Sequence, residues 1–238
     1  YLSVMLCLIS ACFYVAAYFC DSTAKDKLVF EKTIMGPFVV QGANVNCYIG
    51  SITQVSGIDV IVTSEDTDLN LGSFSGTSVS GRVRRMAASY KNGILDKDNL
   101  SGWIQAWKLR EGRCGDFKLG TCVATNEPFE LKSKGVKAII FAVAIRKTPD
   151  RVAIVEQESI QEIVDFAIKY CIDHHHQNVF LPVFGLGSGN AARNDAIDKT
   201  INAVRHSLGG GVKPLNIYIG VYRMFDAVRI VRKLRQCS

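Results

Sequence analysis

The amino-acid sequence predicts an α/β fold in which a sheet carries helices on both faces. Three observations lead to it. Strand-like and helix-like segments alternate through the second half of the chain, the pattern of layered α/β proteins. Val136–Ile145, VKAIIFAVAI, is the most hydrophobic stretch after the N-terminal run and reads as a central strand. Asn178–Asn190, NVFLPVFGLGSGN, passes from an apolar run of strand length into glycines at alternate positions, and from there into a helical pattern.

In chain order, Tyr1–Cys20 contains no charged residue, and an uncharged apolar run of about 20 residues is what a bilayer-crossing helix needs. A core helix would show a polar face, yet only Ser3 and Ser10 are clearly polar; a signal peptide would end in small residues, whereas this run ends Tyr18-Phe19-Cys20. A transmembrane span is therefore expected over residues 1–20, and because the chain opens on Tyr1, further residues are expected upstream. Residues 21–37 read as a juxtamembrane linker of mixed charge and 38–236 as the folded domain. Within it, Phe38–Val40, Val45–Ile49 and Ile58–Val62 read as strands, and Thr63 to Thr77 as a long polar loop. From Val79 a helix is expected to run to Asn92-Gly93, its glycine ending it. Trp103 and Trp107, four apart within Leu95–Arg110, read as packing residues on one helical face. Leu119–Ala124 reads as a strand, Ser159–Ile172 as an amphipathic helix, and Ile197, Ile201, Val204 and Leu208 as the apolar face of another. Asn216–Tyr222 is the last strand and Met224–Leu234 the last helix.

The chain has 238 residues with a formal charge of +6, all of it after Cys20 and scattered, which does not suggest a nucleic-acid interface. A small anionic ligand or an anionic membrane surface suits it better. None of the eight cysteines forms a Cys-x-x-Cys pair, as expected of a reduced, cytoplasmic domain. His174-His175-His176 lacks the acidic or cysteine company of a metal site, so no metal is expected.

Chemistry concentrates at the glycine-rich turn. Glycines let the backbone approach a ligand closely, and free N–H groups at a helix start point at an anion. Gly185, Leu186, Gly187, Ser188, Gly189 and Asn190 thus form a candidate phosphate cradle. A Rossmann reading fails, because that fingerprint follows the first strand and wants an acidic residue about 20 positions later.

Four stretches in order resemble the macro domain family. Gly50-Ser51-Ile52-Thr53 looks like its GDIT turn, and Asp59–Asp66, DVIVTSED, like its DAIVNAAN strand and loop. Gly76–Val83, GTSVSGRV, looks like its GGGVxxAI loop and helix start, and Pro182–Asn190 like its second phosphate loop. The resemblance implies a three-layer α/β/α sandwich with a mixed sheet that binds ADP-ribose through Ser51, Ile52, Asp66, Thr77, Ser78, Val79, Ser80, the 185–190 loop and Tyr222. Ser51 stands where the family has an Asp that accepts from the adenine amino group. Asp66 stands where its hydrolytic members keep an Asn near the distal ribose. No Cys–His or Ser–His–Asp arrangement accompanies them, so the resemblance favours a binder with no catalytic residues over a hydrolase.

With the span in front, the chain resembles the membrane-anchored macro effectors of type II Thoeris anti-phage defence. That implies a cell-inner-membrane protein with its macro domain in the cytoplasm. It would bind ADP-ribose or histidine-conjugated ADP-ribose made by a TIR enzyme, form a homo-oligomer on activation and disrupt the membrane, without a further cofactor. An anchored ADP-ribosyl hydrolase, or a reader of ADP-ribosylated proteins, is the alternative.

Overall fold

The structure, a computed structural model, describes residues 32–147, 153–186, 193–209 and 214–237. The expected span at Tyr1–Cys20 lies outside them, and among the described residues no helix is long and apolar enough to cross a membrane.

The strands are β1 (Thr33–Val40), β2 (Ala43–Ile49), β3 (Val60–Asp66), β4 (Ser89–Lys91), β5 (Ile94–Lys97), β6 (Cys122–Thr125), β7 (Ala138–Lys147), β8 (Ala153–Ile154), β9 (Asn178–Pro182) and β10 (Asn216–Val221). The helices are α1 (Val79–Met86), α2 (Asn99–Glu111), α3 (Gln157–Asp173), α4 (Arg193–Ser207) and α5 (Met224–Arg235). One mixed sheet runs in the order β1-β2-β10-β9-β3-β7-β6, with β8 paired to β7. β2, β10, β9, β3 and β7 are mutually parallel, while β1, β6 and β8 run antiparallel to their neighbours.

Alternating side chains divide the interior into two cores. Val60, Val62, Ile140 and Ala142 face α3, α4 and α5, whose Ile163, Val164, Ile197, Ile201, Ile230 and Leu234 are buried against them. Ile61, Ile139, Phe141 and Phe180 face α1 and α2 through Val83, Leu100 and Ile104. Trp103 stacks on Phe141 with centroids 5.8 Å apart and Trp107 lies 5.5 Å from Phe117, so both tryptophans pack as expected.

Three expectations change. Residues 33–37, expected in the linker, belong to the edge strand β1. Val136–Ile145 does yield a fully covered strand, but β7 lies beside β6 near one edge and β9 occupies the middle. The long helix from Val79 stops at Met86, and Asn92 and Gly93, at φ 53° and 78°, turn the β4–β5 hairpin instead of ending a helix.

At the N-terminal end of the parallel strands, Asp59 ties three of them together. Its carboxylate accepts from the amides of Gln177 and Asn178, both at 2.9 Å, and pairs with Lys137 Nζ at 2.9 Å. Burial pushes this carboxyl up, but the Lys137 ammonium and the two amides outweigh it and hold the group below its ordinary 3.8. A depressed folded pKa stabilises fully above the unfolded value and is lost as pH falls through the folded one. Asp59→Asn should therefore cost about 1–3 kcal/mol at neutral pH and flatten the acid limb below about pH 4, as read by urea unfolding across that range.

Candidate functional site

β3 leads to α1 on one face of the sheet, while its neighbour β9 leads to α4 on the other. Adjacent parallel strands whose exits diverge leave a crevice beyond their C-terminal ends. β2 and β10 border the same crevice, with Ile49 level with Val221.

On the β2 side, Ser51 is 2% exposed and caps a short 3-10 turn, Ile52–Gln54, accepting from the Thr53 amide at 3.2 Å. Tyr48 donates its hydroxyl to the Ser51 carbonyl at 3.0 Å. Ile52 is buried in the second core, so it offers the crevice only its backbone. Tyr222 follows β10 and is half-buried, its hydroxyl buried beside Ser51 and the Ile52 backbone with no hydrogen bond of normal geometry among the described residues. Burial raises its pKa, against the pull of Arg82, Ile52 and Ser51.

Arg82 joins these pieces. Its guanidinium lies 4.9 Å from the centroid of the Tyr222 ring, its Nη1 donates to Ser51 Oγ, and its Nε donates to the Thr77 carbonyl at 3.0 Å. Two other arginines are held by acids: Arg84 is paired with Asp98 at 2.6 Å and Arg193 with Asp226 at 3.2 Å. The arginines of α1 also hold the preceding loop by its carbonyls: Arg84 reaches Gly72 O, and Arg85 reaches Phe74 O and Gly76 O.

On the β3 side, side chains expected to meet a ligand are turned inward. Ser78 caps α1 by accepting from the Gly81 amide at 3.1 Å. Ser80 accepts from the Gly72 amide at 2.8 Å and donates to Glu65 Oε2 at 2.9 Å. Val79 packs against the second core, and Thr77 stands exposed at the helix start. Asp66 Oδ1 accepts from the amides of Asp68 and Asn70 at 3.1 and 3.0 Å, folding its own loop. From β9, Gly185 takes φ 88° and Leu186 packs against the first core; Gly187, Ser188, Gly189 and Asn190 lie outside the described residues.

Glu65 is the residue that sequence reasoning missed. It is 2% exposed, on the α1 side of β3, and its Oε1 is buried with no hydrogen bond among the described residues. Burial pushes its carboxyl up to about 8, with Asp66 adding to the rise and Thr63, Ser80 and Arg84 opposing it. The signal was available: in Val60–Asp66 the strand period places Glu65 on the face of Ile61 and Thr63, directed at a helix. The buried thiols of Cys47 and Cys171 are pushed up to about 12 by desolvation, so neither is a ready nucleophile.

No protein-family model matches the chain, and no curated protein matches its sequence. Among solved structures, the Oceanobacillus iheyensis macrodomain with ADP is similar over 87% of this chain and 97% of that one, with a TM-score of 0.68 and 16% identity. The Trypanosoma brucei macrodomain in complex with ADP-ribose is similar over 80% of this chain and 68% of that one, with a TM-score of 0.55 and 15% identity. The mixed sheet, the helix layers and these likenesses together show that this chain has the macro-domain fold.

Proposed function

We propose that the crevice beyond β2, β10, β9 and β3 binds an ADP-ribose-type nucleotide. The observation that carries this reading is the convergence of Ser51, Arg82 and Tyr222 on the start of α1 at the point where strand exits diverge. Macrodomains of the same fold hold ADP and ADP-ribose. The backbone at Thr77–Ser80 and the glycine-rich stretch Gly185–Asn190 would take the diphosphate, as helix starts and glycine-rich segments do. A base would stack on the Tyr222 ring or on the guanidinium plane that covers it. Tyr222→Ala should weaken ADP-ribose binding about 5- to 150-fold, the range of base–aromatic stacking, while Tyr222→Phe leaves it unchanged. Calorimetry on folded variants reads both.

The ligand is bound without being consumed. Asp66 holds its loop by two amides and Glu65 accepts from Ser80, and this engagement of both acids at the end of β3 supports binding over hydrolysis. With the uncharged run Tyr1–Cys20 in front, the chain acts as an inner-membrane sensor with its macro domain in the cytoplasm. Its signal is histidine-conjugated ADP-ribose from a TIR enzyme, and the occupied protein assembles and compromises the membrane, as the resemblance to Thoeris effectors implies. The full chain should bind the histidine conjugate more tightly than ADP-ribose by calorimetry, with both recovered intact by mass spectrometry. Turnover of either compound would instead establish the anchored hydrolase, and binding restricted to ADP-ribosylated proteins the reader.

A further inference from the structure

The solvent face of α5 is unlike the other described helix faces. Met224, Phe225 and Val228 are 41%, 75% and 49% exposed. Phe225, Val228, Arg232 and Arg235 follow one another at the spacing of a single helical stripe, and Arg223 stands exposed just ahead of them. The acids close to this helix are already occupied. Asp226 is 4% exposed and held by Arg193, and Asp198 of α4 is paired with Arg229 at 2.9 Å and Lys233 at 3.4 Å. Asp195 of α4 is paired with Lys199 at 2.8 Å, and β1 and β2, which also pack on α5, contain no acid. Among the described residues Arg223, Arg232 and Arg235 have no acidic partner. An aromatic and aliphatic row edged by free guanidinium groups fits the boundary of an anionic bilayer, where apolar side chains enter and basic ones meet headgroups.

The chain's own path says which surface lies opposite. Thr33 pairs with Ile49, and Ile49 with Val221, so the start of β1 and the end of β10 are level and two strand spacings, about 10 Å, apart. α5 begins three residues after Val221. Residues 21–31 span at most about 40 Å when extended, so the uncharged run Tyr1–Cys20 ends within reach of the first turn of α5.

We propose that this face of α5 docks on an anionic lipid bilayer, the one into which Tyr1–Cys20 inserts. The proposal rests on reading that run as a membrane span.

The test uses the full chain carrying F225W in phosphatidylcholine vesicles with brominated acyl chains, with and without one quarter phosphatidylglycerol. Trp103 and Trp107, packed on Phe141 and Phe117, give the parent baseline. The new indole should be quenched in the anionic vesicles and much less in pure phosphatidylcholine. Each basic side chain near an anionic surface is worth about fivefold in partition, so R232Q with R235Q should lower the docking equilibrium constant, docked over undocked, about 25-fold while the protein still floats with the vesicles. Flotation without quenching would overturn docking and leave the span standing. Failure to float would overturn the span and docking with it. Equal quenching in both vesicles would refute the anionic requirement, and burial of the indole only as protein concentration rises in detergent would assign the face to a second copy of the chain.

Discussion

Glu65→Gln should raise the thermal midpoint at and above pH 8 and remove most of the fall in stability between about pH 4.5 and 8. The carboxyl is 2% exposed, and burial moves its pKa from 4.5 to about 8. Between those values the folded chain keeps a proton that the unfolded chain has released. Folded protein then binds more protons, so stability declines as pH rises through the window. Glutamine presents the neutral form at every pH, keeps an acceptor for Ser80 and supplies donors toward the unpartnered position. The gain on the alkaline side should be on the order of a few kcal/mol, with each one worth about 2–4 °C for a domain of this size. Thermal melts of parent and variant across the range decide it, and an identical slope in both would show that Glu65 does not titrate there. Glu65→Ala should behave oppositely, losing the Ser80 acceptor and leaving a void.

Gly220→Val should destabilise the domain by about 3 kcal/mol or more and weaken ligand binding as well. A Cβ at Gly220 would lie 2.1 Å from Cζ and 2.5 Å from Cε2 of the Phe180 ring on the neighbouring strand. Phe180 is 2% exposed and stands edge-on to Tyr48, with centroids 5.6 Å apart. Tyr48 in turn holds the Ser51 carbonyl. Overpacking costs about 1–3 kcal/mol for one or two methyl groups, and here the displaced ring moves the support of the β2 rim. Gly220→Ala should show the lower end of that range. Adding Phe180→Leu should restore part of the loss, because it removes the ring edge that the new carbon strikes. Urea unfolding and calorimetry together separate a packing effect from a direct contact with ligand, since rescue of both by Phe180→Leu is expected only for packing.

Much of the fold was legible because its signals are periodic. α3, α4 and α5 announce themselves by buried residues three and four apart, and β9 by a short apolar run closed by Gly185. The end of α1 was not legible. Nothing in MAASYK breaks a helix; it stops because Ala87 and Ala88 are buried and Asn99 Nδ2 takes the Ala87 carbonyl at 2.9 Å, a contact from twelve residues away. At the candidate site, the resemblance picked out Ser51, Asp66, Thr77–Ser80 and Tyr222, which the structure has at the ends of β2, β3 and β10 and at the start of α1. Side-chain direction was another matter. Ser80 turns in because Glu65 waits beneath it, and Arg82 meets Tyr222 across a distance in sequence of 140 positions that no local pattern encodes.

The loop between β3 and α1 takes its course from a neighbour. Gly72, Phe74, Gly76 and Thr77 are gripped through backbone carbonyls by Arg84, Arg85 and Arg82. A carbonyl is the one acceptor that every amino acid supplies. The identity of Ser73 or Ser75 can therefore be exchanged while the rim keeps its shape, whereas Gly81 cannot change, since a Cβ there would meet the Ser73 carbonyl at 2.4 Å. Variation is thus channelled: Ser73 and Ser75 are positions where descendants of this sequence can try new ligand contacts at little cost to folding, and the arginines of α1 are the positions that must stay for such trials to succeed.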